Sequence, residues 1–431
     1  MSIAEPIPGR DTSTSPGPRS IPRVTASGAG PGPGNSGLVL VLNAGSASVK
    51  FAVIEPGRGR RVLGGEVEKV GTPEAVLHIQ RDTGDPVTEQ LSDGSYQAAI
   101  TRILSYLPKP GSGPALIGAG HRVVHGGAQF TESVVVDDKV IAAIRSFIDL
   151  APLHNPANLA GIEAVTAALP DLPQVAVFDT AFHQTMPPAA YRYAVPEQWY
   201  TEYGVRRYGF HGTSHRYVSG RAAELLGRPL GELRLVTAHL GNGCSAAAVR
   251  DGLSVDTTMG LTTLEGLVMG TRSGDVDPGM FGYLADTAGL TAGQLTQTLD
   301  TESGLAGLSG VGNDMRVVQD AAAAGDERAR LALDVFVHRL AKAVAALVTS
   351  LDRLDALVFT GGIGENSVTV RSLVLGRLGF LGLTEDPQAN GEHGRDTGGL
   401  ITVPGPALAL VVPTDEELMI ARDTARLIAG P

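Results

Sequence analysis

Apolar residues run without a break over positions 38–42, stop at Asn43-Ala44-Gly45-Ser46, and resume over 49–54. Two short apolar runs around a polar, glycine-bearing turn predict a β-hairpin whose turn is rich in hydrogen-bond donors. The same theme returns far along the chain. Positions 233–240 are apolar with Thr237 and His239 interleaved, Gly241-Asn242-Gly243 turns the chain, and 245–249 runs back. Asp251-Gly252 then signals a tight hairpin. Residues 175–178 form another apolar strand that runs straight into Asp179. The strand 356–360 leads into a third glycine turn, Gly361-Gly362-Ile363-Gly364-Glu365-Asn366. Helices lie between these strands. Apolar residues at 333, 336, 337, 340, 344, 347 and 351 share one helical face, with His338 off that stripe and solvated. Strands alternating with helices, and a hairpin theme used twice, predict an α/β protein with two related halves.

Composition bounds the organisation. The 431 residues exceed one compact core, so two or three domains are expected, and 43% hydrophobic with only 5% aromatic residues makes those cores aliphatic. Residues 1–36 stand apart, dense in Pro, Gly, Ser and Thr, as in Gly30-Pro31-Gly32-Pro33-Gly34. Such a segment buries too little apolar surface to offset its chain entropy, and disorder is predicted there. The net charge of −11 argues against nucleic acid as a partner, because binding a phosphate backbone needs a basic face. A single Cys excludes an intrachain disulfide framework and a multi-thiolate zinc site. No run of about 18 apolar residues predicts a membrane span, and no secretory pattern opens the chain. A cytoplasmic protein with no membrane partner is the expectation.

The candidate chemistry lies in the turns. The chain has no Gly-x-x-x-x-Gly-Lys-Ser/Thr run and no dinucleotide fingerprint in a strand–turn–helix context. It has instead several turns in which Gly alternates with Asn, Ser or Thr, where successive N–H groups form anion-binding concavities. His, Arg and Asp crowd at strand ends in residues 120–127, 152–156, 178–183, 208–215 and 270–279. Each has a plainer reading. Asp179 and Thr213 are also candidate helix caps, Cys244 a small packed side chain, and an Arg in a loop a surface ion pair. The pair His211 and His215 lacks the Glu that a zinc protease motif needs after its first His, since Gly212 stands there. Taken together, the set suits phosphoryl transfer, which asks for positioning and positive charge around three equatorial oxygens. Arg supplies a permanent charge in a planar fork. A divalent metal held by oxygen ligands is expected, with Asp179 and the acidic run 414–417 as candidates to hold it.

These stretches together resemble the acetate kinase family. The match runs in order through 43–50, 121–127, 152–156, 178–187, 207–215, 239–243, 269–274, 361–366 and 414–421, from about residue 38 to the end. The resemblance implies the fold shared by acetate and sugar kinases, actin and chaperone ATPases, namely two domains of duplicated actin-like, ribonuclease H-like topology with a nucleotide cleft between them. The expected domains are 37–182 plus 414–431, and 183–413, the latter carrying most of the nucleotide site. The resemblance also implies reversible transfer of the ATP γ-phosphate to acetate, giving acetyl phosphate and ADP, with Mg²⁺ or alternatively Mn²⁺, in a homodimer. Asn43 and Glu416 match metal-associated residues, and Ser46, Ser48 and Lys50 the first phosphate loop. Arg122 matches the arginine near the acetate carboxylate and Arg272 the one at the phosphoryl group. His211 matches the transition-state stabiliser. Asp179 matches the essential aspartate, whose role is that of proton acceptor or metal-side anchor; metal positioning is the favoured of the two, since a carboxylate nucleophile is already ionised at pH 7. His239, Leu240, Gly241, Asn242 and Gly243, then Asp314, Met315 and Arg316, then Gly362, Ile363, Gly364, Glu365 and Asn366 match nucleotide-binding segments. Val124, Leu153 and Phe210 match the pocket for the acetate methyl.

Three positions depart from the family pattern. Thr263 stands where the family usually places a Pro lining the methyl pocket, which leaves propionate or butyrate as alternative acceptors. Ala47 replaces a Ser in the first loop, and Asp415 replaces an Asn beside Glu416, adding charge near the metal. A conformational ATPase of the actin or chaperone type is the alternative from a different class. It needs the nucleotide loops but not Arg122, Arg272 and His211 converging on a carboxylate.

Overall fold

The computed structural model describes residues 37–82, 84–107 and 114–430, so the tail 1–36 with its expected disorder lies outside the described residues. The chain forms two sheets. The first uses β1 (Leu38–Ala44), β2 (Ser48–Glu55), β3 (Arg60–Glu68), β4 (Val76–Arg81), β5 (Val87–Gln90), β6 (Leu116–Val123), β7 (Val134–Val135) and β8 (Gln174–Phe178), in the order β5-β4-β3-β2-β1-β6-β8-β7. The second uses β9 (Arg234–Leu240), β10 (Cys244–Arg250), β11 (Leu253–Thr257), β12 (Ala356–Thr360) and β13 (Leu408–Val411), in the order β11-β10-β9-β12-β13.

The two sheets share one plan. In the first, β1 pairs antiparallel with β2 and β2 with β3, while β1 and β6, and β6 and β8, pair parallel. In the second, β9, β10, β11, β12 and β13 repeat those pairings in the same order. This is a duplicated ribonuclease H-like topology, and the repeated hairpin theme in the sequence is its signature. The sequence shows β1 as an unbroken apolar run because both of its faces are covered. Leu38, Leu40 and Leu42 pack with Ile100, Ile103 and Val165 from helices Tyr96–Leu104 and Asn155–Ala168. Val39 and Val41 pack with Leu418, Ile420 and Ala421 of the C-terminal helix Glu416–Ile428. In the second sheet, Val236, Ala238 and Leu240 face the long helix Glu327–Val348 through Phe336 and Leu340. Leu235 and Val358 face the helix Gly212–Leu226 through Val218 and Ala222. His338 is solvated, as its place off the stripe predicts, while Leu351 lies past the helix end and is still buried.

One element differs from its sequence reading. Residues 361–366, expected as a turn, form the short helix Gly361–Asn366. Its sequence has no apolar periodicity to reveal it, and its start is held by tertiary contacts. Gly361 takes φ +75° where a Cβ would come within 2.8 Å of the Leu240 carbonyl oxygen, so only Gly fits. The Glu365 carboxylate accepts hydrogen bonds from the N–H of Gly361 (2.9 Å) and, from the far end of the chain, the N–H of Thr414 (3.1 Å).

Candidate active site

The parallel strands of both sheets end at neighbouring loops, the place where open α/β sheets carry their ligands. In the first sheet, Asn43 is on β1 beside Arg122 on β6, and Asp179 follows β8 directly. The Asp179 N–H donates to the Val123 carbonyl at 3.0 Å, which fixes it opposite Arg122. Arg122 then donates Nε to Asp179 Oδ1 (2.9 Å) and Nη2 to Oδ2 (2.6 Å), a two-pronged pair, and Nη1 to Asn43 Oδ1 (3.2 Å). Burial works against the Arg122 charge, but the Asp179 carboxylate more than offsets it and holds the guanidinium charged. Asp179 is not a helix cap: the short helix after it starts from Thr180, with no side-chain cap.

From the second sheet come two groups that converge at the turn after β9. His211 precedes the helix Gly212–Leu226 in the left-handed region, φ +55°, with no capping bond from its side chain or from Thr213. Its ring stacks on His239 at 4.4 Å between centroids. A Cβ built on Gly243 would lie 3.1 Å from Arg272 Nη2 and 3.3 Å from His211 Nε2, so both head groups crowd the same glycine. Arg272 donates Nη1 to the Thr263 carbonyl at 2.7 Å. Among the described residues it forms no ion pair, and burial lowers its pKa. The loop carrying Thr263 is cinched from beneath. Arg207 Nη1 donates to the carbonyls of Thr257 (2.8 Å), Thr258 (2.8 Å) and Met259 (3.1 Å), and Nη2 to Glu265 (2.5 Å). Glu265 in turn accepts from the Tyr193 hydroxyl, whose oxygen accepts from the Leu261 N–H at 2.9 Å.

The segments expected to meet the nucleotide gather around the end of β9. His239 pairs in register with Thr360, which brings the segment of Gly361, Gly362, Ile363, Gly364, Glu365 and Asn366 against Ala238 and Leu240 at the end of β9. Asn242 accepts from Gly270 N–H (2.9 Å) at its carbonyl and from Asn313 Nδ2 (3.1 Å) at its side chain, tying in residues 269–274 and 314–316. Asp314 caps the helix Met315–Ala323 and is gripped by the Arg316 guanidinium, which holds its carboxyl down at about 2. Met315 is buried. In the first sheet, Ser46 sits exposed in the β1–β2 turn, while Ser48 and Lys50 lie on β2. A cavity of about 510 Å³ is lined by Asn43, Lys50, Arg122, Thr414, Asp415 and Glu416.

The apolar residues are less uniform. Val124 and Phe210 are buried in one cluster, whereas Leu153 stands 66% exposed, so its side chain is not packed with them. Thr263 is half-buried and enters the site through its carbonyl. Cys244 is a packed side chain whose thiol donates to the Gly241 carbonyl (3.2 Å) and is pushed up to about 12 by burial. The sequence reading did not single out Ser245, Arg207 or Tyr193. Ser245 carries no signal beyond its polarity in an apolar strand, and the Arg207–Glu265 pair spans 58 residues.

A hard divalent cation fits the donors present. Asn43 and Glu416 bring side-chain oxygens to a cavity roomy enough for water and phosphate oxygens, with the Asp179 carboxylate held next to them by Arg122. Burial, together with Asp179 and Asp415, raises the Glu416 pKa, a strain that a cation would relieve. Among the described residues no three His, Cys, Asp or Glu gather as a metal site.

Four buried histidines make the fold acid-labile. Burial lowers His121, His125 and His183 to about 4 and, with His183 and His239 close by, holds His215 well below its ordinary value. The native state refuses protons that the unfolded chain takes up near pH 6.5. Stability is therefore full above that pH and falls as the pH drops toward 4, by up to about 1.4 kcal/mol per pH unit for each histidine. Urea denaturation at pH 7, 6 and 5 should show the unfolding free energy falling steeply. A flat profile would contradict the burial of these rings.

Two sheets of one repeated plan, with glycine loops at their strand ends and two arginines brought to the same site, define a phosphotransferase of the actin-like fold. The sequence profile of the Acetokinase family matches residues 38–422. An acetate kinase of Deinococcus radiodurans is 57% identical over 391 residues, covering 91% of this chain and 98% of the relative. Among solved structures, Porphyromonas gingivalis acetate kinase superposes with a TM-score of 0.85 at 44% identity, covering 90% of this chain and 99% of that one. A propionate kinase from Francisella tularensis superposes at 0.84 with 43% identity, covering 90% and 98%. The chain belongs to the acetokinase family, whose members use ATP and generally a divalent metal, and its function is phosphoryl transfer between ATP and acetate.

Proposed function

We propose that transfer is direct and in line, and that the residues above divide the work as follows. An acetate oxygen attacks the γ-phosphorus, the bond from that phosphorus to the β–γ bridging oxygen breaks, and ADP leaves. The observation that carries this reading is the convergence of Arg272 Nη2 and His211 Nε2 at Gly243. Arg272 is anchored by an uncharged carbonyl, so its charge is free for the equatorial oxygens of the transferring group. Arg122 already has its charge matched by Asp179, and it orients the acetate carboxylate with the remaining edge of its fork. Because both Asp179 oxygens accept from Arg122, Asp179 acts as an anchor for that arginine and for the metal rather than as a free base.

Asn43 and Glu416 would hold Mg²⁺ beside Asp179, and the ion would supply neutralising charge to the phosphates. Ser46, Ser48 and Lys50 bind phosphate oxygens. Residues 239–243, 314–316 and 362–366 bind the nucleotide, and Val124, Phe210, Leu153 and Thr263 bound the acyl group. Residues 37–182 with 414–431, and 183–413, act as two domains flanking the cleft, a division supported by the packing of the C-terminal helix on β1.

A hydroxamate assay with ATP and Mg²⁺, offering acetate, propionate and butyrate in parallel, tests the reading. Acetate should give the strongest signal, with propionate slower by a factor in the range of about 10–200, the worth of one methylene in an apolar pocket. A stronger signal with propionate would keep the mechanism and move the substrate. Folded, ATP-binding protein that gives no acyl phosphate from any acid would overturn the proposal.

We also propose a homodimer. The helix Gly279–Ala288 buries none of its residues although it carries Met280, Phe281, Tyr283 and Leu284, with Tyr283 67% exposed. Light scattering should report twice the chain mass, and a monomer at micromolar concentration would remove the proposal. No helix among the described residues is long and apolar enough to cross a membrane.

A further inference from the structure

Ser245, on β10, is fully buried and sits between two histidines. Its hydroxyl is 2.9 Å from His211 Nδ1 and 2.8 Å from His215 Nε2. His215 Nδ1 is 2.7 Å from the hydroxyl of Thr237, also fully buried. The direction of every proton in this chain can be assigned by counting donors. Among the described residues, the Thr237 hydroxyl has His215 as its one partner. If it accepted from His215, its own proton would be stranded in the core, at the full desolvation cost of a buried donor. Thr237 therefore donates to His215 Nδ1. A neutral imidazole carries one proton, so His215 holds its proton on Nε2 and donates it to Ser245 Oγ. The single Ser245 proton then goes to His211 Nδ1. His211 is left with its proton on Nε2, the atom that crowds Gly243 beside Arg272.

We infer that the Thr237–His215–Ser245 chain is a positioning relay that locks His211 in the Nε2–H tautomer and aims that donor at the transferring phosphoryl group. The inference rests on the role proposed above for His211. Which imidazole nitrogen is protonated is set by the hydrogen bond at the other nitrogen, and here that bond is supplied from the core rather than by substrate. Burial of His211, with His239 and His215 close by, disfavours the doubly protonated ring, so the tautomer question is real in the working enzyme. The stacked His239 restricts rotation of the ring and preserves its aim.

The test is long-range proton–nitrogen NMR on the full chain labelled with ¹⁵N-histidine, with the His211 signals assigned by their loss in His211→Ala. Wild type should show His211 as a single Nε2–H tautomer. Ser245→Ala should show an Nδ1–H population at His211, and a kcat lower by about 10–100-fold, the loss typical when the partner that orients a metal-bound histidine is removed and taken here as the scale for an oriented catalytic one. KM for acetate and ATP should stay within about twofold. Ser245→Thr, which keeps the hydroxyl, should retain the wild-type tautomer. If Ser245→Ala does not fold, Thr237→Val removes the donor at the far end and should also release the Nδ1–H form. A wild-type His211 protonated on Nδ1, or tautomer and kcat unchanged in Ser245→Ala, overturns the relay. Full kcat in His211→Ala would instead overturn the catalytic role of His211, while the wild-type tautomer would still report on the relay itself.

Discussion

Replacing Arg272 with alanine is expected to lower kcat/KM by at least on the order of 10²-fold. One preorganised donor aimed at transition-state charge is worth about 2.7–4 kcal/mol, and Arg272 is the better placed of the two arginines to deliver it. Nη1 is spent on the Thr263 carbonyl, which steers the head group; among the described residues no carboxylate is bonded to it, and Asp300 acts on its charge only through space. A lysine at 272 keeps the charge but not the fork, so it cannot be anchored and point at the phosphoryl group together. Arg272→Lys should therefore recover only part of the loss. The measurement is steady-state kinetics with ATP and acetate varied separately. The loss should fall mainly on kcat, because the charge it meets develops in the transition state. Near-normal turnover in Arg272→Ala would refute the assignment.

Asp179→Asn should be damaging in a second way. Removing one partner of a buried ion pair leaves an uncompensated charge, at about 3–5 kcal/mol for a fully buried pair. Arg122 keeps 22% of its side chain exposed, so the lower end of that range is expected. Activity should fall at least on the order of 10²-fold as well, because the Arg122 fork loses the carboxylate that sets its plane and the metal side of the cleft loses an oxygen. Denaturation and turnover on the same preparation separate the two effects. Arg122→Ala strands Asp179 instead and should reduce activity comparably. A variant of either residue with wild-type stability and turnover would remove the pair from the site.

Much of the site was legible because its loops are local. Asn43 to Lys50, His239 to Gly243 and Gly361 to Asn366 declare themselves by glycines and small polar residues after apolar runs, and turn chemistry is a property of chain neighbours. The helix at 361–366 escaped that logic, since its stability comes from Glu365 reaching Gly361 and Thr414 rather than from helix-forming residues. Leu153 shows what a motif leaves unsaid: it states which residue is present, and only the structure shows that this side chain is largely exposed rather than packed with Val124 and Phe210.

By itself the sequence determined the α/β class, the repeated hairpin plan and the family, since periodicity, turns and the order of short motifs are all written along the chain. Only the tertiary structure decided the charge states and orientations. Arg122 meets Asp179 across 57 residues, Arg272 is left with a carbonyl, and Ser245 falls between His211 and His215. Each depends on strand register. Side chains alternate along β10, so a slip of one residue would turn Ser245 to the other face and present Cys244 or Ala246 to the two histidines. Local sequence cannot express that choice; the burial of both faces of the sheet makes it.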